Sequence, residues 1–350
     1  MKKQLFLMSM AVLAIASCSK DQTISTNTGR EIDFRTSLAT RATETTTANI
    51  NEFYVTAIDK NNANYFENQK FSKSGTTFTS DPKYYWPSDG STIDFYAYSP
   101  SAENLGGTLT INNTTKTLTG FSPAAAIADQ KDFITVNATG SKENEGTGVA
   151  LAFDHRLAQI EIKAKNTNTG YVYKVAGVRI GKPVSKGSFD FGTNAWTLDA
   201  DKANYEVTYD AAKDIVAAPK SLMEAENNNA MLLPQQLVAW DPATDKQNTS
   251  NGAYLALKIQ ITTASGARVY PAKGDYDWAA VAINTNWKAG FKYVYTLDFS
   301  NGAGKVDPEK PTPTDPTDPF KPGEDILGSA IVFTVTVNTW NDGTQPDINM

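Results

Sequence analysis

The feature that most constrains this chain is a recurrence of short alternating runs, each closed by turn-forming residues. Ile93-Asp94-Phe95-Tyr96-Ala97-Tyr98 ends at Ser99-Pro100, and Phe53-Tyr54-Val55-Thr56-Ala57-Ile58 ends in Asp59-Lys60-Asn61-Asn62. Phe133–Val136, Val149–Phe153, Ala158–Lys163, Tyr254–Ile261 and Lys292–Phe299 repeat the style. Alternation with period two puts one face of a strand in a core and the other in solvent, and many such runs at this spacing predict sandwiches or barrels. Composition agrees. With 41 Thr, 27 Asn and 23 Gly, the chain is rich in residues that suit pleated surfaces and the turns between them. Helical periodicity is absent apart from a turn or two around Leu222 to Ala230. The fold class expected is all-β. Its 350 residues allow two domains.

Chemistry is excluded more sharply than it is suggested. One Cys and one His are too few for a disulfide framework, a Cys/His zinc site or more than one His-dependent centre. A net charge of −6 with no basic block argues against nucleic acid. His155 lies between Asp154 and Arg156 without a nucleophile motif, so it reads as structural. Glu224 with Glu226, and Asp275 with Asp277, lie two apart, whereas glycosidase carboxylates must face each other across a cleft. Tyr84-Tyr85-Trp86, Trp278 and Trp287 have the side chains to stack on sugars but suit a sandwich core better. No calcium-loop spacing is present. We expect no enzyme, no cofactor and no metal.

The amino terminus carries Lys2 and Lys3, then an apolar stretch from Leu5 to Ala16. At roughly 12 residues it is too short to span a bilayer and fits a secretory signal. It ends Ile15-Ala16-Ser17-Cys18, which resembles a bacterial lipobox and makes Cys18 the lipidation site; a plain signal peptide is the alternative. Residues 1–17 are then the signal, and a lipid anchor would hold the chain, since no second stretch is long and apolar enough to span. Ser19-Lys20-Asp21-Gln22 resembles the surface-export signal of Bacteroides-group lipoproteins, which points to the outer membrane, facing outward.

Two segments stand apart near the ends. Glu31-Ile32-Asp33-Phe34-Arg35 alternates, with Leu38 continuing the apolar side, and reads as a first strand. Residues 302–325 hold Pro308, Pro311, Pro313, Pro316, Pro319 and Pro322 among Thr and Asp, a linker that extends about 70 Å at roughly 3.1 Å per residue if polyproline-like. In residues 326–350 lies the cleanest strand of the chain, with Ile331, Phe333, Val335 and Val337 on one face.

Tyr84-Tyr85-Trp86-Pro87 with Ile93–Tyr98, Phe153-Asp154-His155-Arg156-Leu157-Ala158-Gln159-Ile160-Glu161-Ile162, Met231-Leu232-Leu233-Pro234-Gln235 and Phe333–Trp340, in this order behind a lipobox, resemble the fimbrillin family, the type V pilins of the Bacteroides group. The resemblance covers nearly the whole chain. It implies two tandem transthyretin-like β-sandwich domains, which we place at 42–185 and 186–301 from the turn residues near 181–190. It also implies a fimbrial subunit exported as a lipoprotein and cut after an Arg. The matching bond is Arg41-Ala42, making 18–41 a propeptide, with Arg30 and Arg35 as competitors.

Loss of the first strand would open an apolar groove with unpaired backbone, and such an edge invites strand addition. We expect the last strand, through Ile331, Phe333, Val335 and Val337, either to fill that groove in a neighbouring pilin or to close its own domain. In the second case the proline-rich run is a surface loop. The partners expected are other pilin subunits, the outer membrane before maturation, and surface ligands. The alternative function is a monomeric lipoprotein adhesin or glycan-binding module, or a tip or anchor component.

Overall fold

The computed structural model describes residues 29–37, 50–61, 63–223, 229–314, 318–328 and 331–339. Their regular structure is strand, apart from three single 3₁₀ turns at Ala102–Asn104, Ile127–Asp129 and Lys142–Asn144. Most of the segment expected to hold a helical turn, residues 224–228, lies outside the described residues. The all-β expectation holds.

The first sheet has eight strands, numbered here in chain order: β1 (Phe34–Ser37), β2 (Glu52–Asp59), β3 (Asn64–Ser74), β4 (Thr77–Ser80), β5 (Ile93–Ser99), β8 (Ile134–Gly140), β9 (Val149–Ala152) and β10 (Asp154–His155). Their spatial order is β10-β8-β5-β2-β3-β4-β1-β9. The two ends of that path, β9 and β10, are separated in the chain by Phe153 alone, so the sheet must wrap round until its ends meet. Inside sit Phe34, Phe53, Phe71, Phe78, Phe95 and Leu151, all essentially without solvent contact. Alternation on β5 is exact: Ile93, Phe95 and Ala97 face this core, whereas Tyr96 and Tyr98 face a second one.

That second core lies under a four-stranded sheet of β6 (Thr108–Ile111), β7 (Lys116–Phe121), β13 (Gly187–Asp190) and β14 (Ala195–Leu198), in the order β14-β13-β7-β6. Tyr98, Phe121, Phe133, Phe189 and Phe191 fill it.

The remaining strands stack as two sheets over the largest core. One holds β16 (Lys220–Ser221), β11 (Ala158–Lys165), β23 (Phe291–Asp298) and β25 (Val332–Thr339) in that order, with β17 (Ala230–Leu232) also on β11. The other runs β15 (Tyr205–Asp214), β12 (Tyr171–Gly181), β19 (Tyr254–Thr263), β21 (Asp277–Ala282) and β24 (Lys305–Val306), with β20 (Arg268–Tyr270) beside β19. Ile160, Ile162 and Tyr295 meet Val175, Val178, Leu257 and Ile259 between them. A two-stranded ribbon, β18 (Gln235–Gln236) with β22 (Asn286–Trp287), completes the described strands.

The break in strand pairing falls between β10 and β11, at residues 155–158, not at the 185/186 boundary expected from turn residues. β11 and β12 pair wholly within the later sheets, while β13 and β14 return to join β6 and β7. Gly181-Lys182-Pro183 does mark a reversal, with Lys182 at a φ of 57°. Turn chemistry reports where a chain reverses; it carries no information about which strands then pair.

Leu257 is completely buried at the centre of the largest core. Leu257→Ala is expected to lower the unfolding free energy by about 2–5 kcal/mol. That would appear as a lower urea midpoint with an unchanged slope; an unmoved midpoint contradicts this placement of the core.

Candidate functional site

β1 is short, yet it lies between two neighbours and so closes the first sheet. It pairs antiparallel with β4, Phe34 opposite Phe78, and parallel with β9, residues 34–37 opposite 149–152. The Ile32 amide donates to the Tyr84 carbonyl at 2.7 Å, and the Val149 amide to the Asp33 carbonyl at 3.0 Å. The Phe34 ring stands edge-on to Phe71, Phe95 and Phe53, at centroid distances of 4.7, 5.1 and 5.9 Å. Such pairs add about 0.5–1.5 kcal/mol each beyond the area they bury. Ile32 is buried beside it, and Arg35 points out.

Charge gathers where β1 enters. Lys83 lies 2.9 Å from Glu31, the Arg30 amide donates to the Glu145 carboxylate, and burial with the nearby Glu31 charge pushes the Asp33 carboxyl up. Arg30, Glu31, Asp33 and Lys83, with Tyr85 and Gly146, line a shallow polar cleft.

β25 lies at the far end of the chain. It runs antiparallel to β23 in unbroken register, from Val332 opposite Asp298 to Thr339 opposite Phe291. Ile331 and Val335 are buried, Phe333 and Val337 half-buried against the largest core, and Val332 is 60% exposed. The predicted apolar face therefore points inward, within this chain's own sheet. β25 is the last strand of that sheet in the pairing order.

The proline-rich run does not extend as a linker. Residues 302–307 fold back against 322–328: Ala303 and Ile326 donate to Leu327 and Gly304 at 3.1 and 3.0 Å, and Val306 and Gly323 to Glu324 and Val306 at 2.8 and 3.0 Å. Gly304, at a φ of +77°, lets this arm lie against β21, since a Cβ there would sit 2.7 Å from the Ala280 carbonyl. Prolines prevent ladder pairing only where they occur, and here the paired arms flank them. Phe320 stands edge-on to Tyr270 at 4.8 Å and Lys310 reaches Asp277 at 3.0 Å, so the described part of the loop is tied to the body.

A buried charge network clamps the base of this fold-back. Arg179 lies 2.9 Å from Asp307 and 2.5 Å from Glu206, with its guanidinium 4.2 Å from the Trp278 ring centre. Burial pushes the Asp307 carboxyl up, and the facing guanidinium offsets this only in part. Glu309 accepts from the Tyr254 hydroxyl at 2.6 Å and pairs with Lys182 at 3.0 Å. An Arg between Val178 and Ile180 in a strand is a visible oddity of sequence, but its partners are 27 and 128 residues away.

Cys18, Arg41 and Ala42 lie outside the described residues, as do Glu224 and Glu226. His155 is buried, with Nδ1 2.8 Å from Asp132. Asp275 is 3.9 Å from Arg268 and Asp277 holds Lys310, so this pair frames no cleft. Trp86 and Trp287 are core residues, and Tyr84 packs on Phe66 at 4.3 Å. Among the described residues no group of three or more His, Cys, Asp or Glu is placed to hold a metal, and no helix is long and apolar enough to cross a membrane.

Comparison with known proteins points one way. A family model described as fimbrillin-like matches residues 40–340. The fimbrium subunit Fim1C of Phocaeicola vulgatus is 26% identical, over 87% of this chain and 94% of its own. The crystal structure of a fimbrial protein from Bacteroides vulgatus superposes with a TM-score of 0.57 at 15% identity, covering 88% of this chain and 99% of that one, which is a likeness of fold.

Removing one member of a buried ion pair strands the other, at about 3–5 kcal/mol. Asp307→Ala is expected to cost near the lower figure, because Glu206 remains on Arg179, and to speed amide exchange at residues 303–306. Unchanged exchange there would mean the clamp does not hold the fold-back.

Proposed function

The chain belongs to the fimbrillin-like family, a structural and not an enzymatic one, and on that footing we propose that it is a fimbrial subunit that polymerises by strand exchange. It is exported to the cell surface as a lipoprotein through Cys18, cut after Arg41, and assembled with other pilin subunits in adhesion. The observation that carries this reading is the position of β1. It is an insert between β4 and β9, joined to the other described strands of the sheet through residues 38–51.

That placement ranks the candidate cuts. A cut after Arg30 leaves β1 attached, and one after Arg35 divides it. A cut after Arg41 severs it whole. Departure of β1 would uncover Ile32 and Phe34, each worth about 1.5–3 kcal/mol of burial, and would free backbone groups on both flanking strands. A second strand supplied by another copy restores both. Ile331, just before β25, and Phe333, Val335 and Val337 within it have the required period.

The home docking of β25 on β23 favours the second reading, a monomeric surface adhesin or a tip or anchor component. Because Val335 is buried at home, a charge placed there would disturb the subunit itself, so the test leaves the core untouched. Thr296 and Thr334 face each other across β23 and β25. A Thr296→Cys/Thr334→Cys disulfide locks the strand at home without touching the core. Trypsin treatment of the parent precursor should give a ladder of multimers on an unboiled denaturing gel. The oxidised double variant should give none, and reductant should restore the ladder. A trimmed parent that stays monomeric supports the second reading, and a ladder from the locked variant excludes β25 as donor.

A further inference from the structure

Resting on the strand-exchange reading, we infer that the cage around Phe34 sets the register of exchange: a second copy's β25 enters with Phe333 in the place of Phe34 and Ile331 in the place of Ile32. The spacing Ile-x-Phe occurs three times in this chain, at Ile32-Asp33-Phe34, Ile93-Asp94-Phe95 and Ile331-Val332-Phe333. The second lies on β5, which is paired on both sides, with β2 and β8. The third is therefore the available copy of the pattern that β1 uses.

The fit follows residue by residue. Phe34 fills a recess bounded edge-on by Phe53, Phe71 and Phe95, each essentially without solvent contact. Only an aromatic ring fills that space, and β25 has one ring, Phe333. Sliding the donor by two residues puts Ile331 or Val335 in the recess and leaves it underfilled, and close packing penalises such voids. Sliding by one turns Val332, Thr334 and Thr336 inward. In the inferred register Val335 takes the place of half-buried Thr36, while Val332 and Thr334 replace outward Asp33 and Arg35. The donor runs parallel to β9 and antiparallel to β4, as β1 does. The Val149 amide and the Tyr84 carbonyl, which β1 engages through Asp33 and Ile32, meet the backbone of Val332 and Ile331.

The tether is long: if the clamp on Asp307 holds, residues 308–330 of the donor copy span at most about 75 Å at roughly 3.3 Å per residue.

Cysteine pairs read the register directly. Arg35 lies opposite Ala150 on β9, both exposed, so the inferred register brings Thr334 of the donor to Ala150. Neighbouring strands lie about 4.8 Å apart, within the Cα separation that a disulfide spans. Ala150→Cys is combined in turn with Thr334→Cys, Val332→Cys and Thr336→Cys, and each precursor is trypsin-treated, oxidised and run boiled without reductant. The Thr334 combination should give covalent dimers and higher multimers, and the other two at least about ten-fold less. Stronger cross-linking through Val332 or Thr336, or unboiled multimers with no covalent product from any pair, overturns the register while strand exchange stands. If the parent chain forms no multimers at all, both fall.

Discussion

Phe34 holds β9 to a sheet whose pairing would otherwise stop at β4. β9 and β4 are not neighbours; only β1 lies between them, and its hold rests on one ring edge-on to three others, with Ile32 beside it. Closure of the eight-stranded sheet therefore depends on a strand of four residues at the start of the described chain. In an ordinary domain such an arrangement is a weakness, because an edge left open by fraying pairs with whatever strand is near. On the strand-exchange reading proposed above, departure of β1 would leave a vacancy of defined shape.

The other end of the chain shows the complementary arrangement. β25 is an edge strand whose apolar face is only half enclosed at Phe333 and Val337, and it is approached through a fold-back whose outer arm is held by loop contacts. The inner arm is fixed by Arg179, Asp307 and Trp278. On the strand-exchange reading proposed above, β25 would leave its home sheet while the base held by Arg179 and Asp307 stays folded. Home docking and donation draw on the same side chains, so one copy of β25 cannot do both at once.

Much of this was legible from alternation. The runs at Ile93–Tyr98, Tyr254–Ile261, Lys292–Phe299 and Ile331–Val337 all became strands, within a residue or two of their expected ends, since period two is a local property. Faces were legible on the last strand, with Val335 in and Val332 out, but not on β5, where Phe95 faces one core and Tyr96 and Tyr98 face a second instead of solvent. Partners were not legible. Nothing local to β1 announces a parallel neighbour more than 110 residues away, nothing in β13 and β14 announces their return to β6 and β7, and six prolines suggested extension where the chain turns back. Each of these depends on contacts between distant segments, for which a single sequence holds no periodic signal. The cage around Phe34 was not legible, because its three rings come from β2, β3 and β5 and nothing local to residues 32–34 announces them.

The central claim is that β1 occupies a vacancy which another copy's strand can fill. Amide hydrogen exchange along β4 and β9 tests it most directly, compared among the precursor, the trimmed monomer isolated before assembly, and the multimer. The account predicts slow exchange in the precursor, fast exchange at the β1-facing amides, Val149 among them, in the trimmed monomer, and slow exchange again in the multimer. Amides on β4 and β9 that exchange equally slowly in all three states would contradict it.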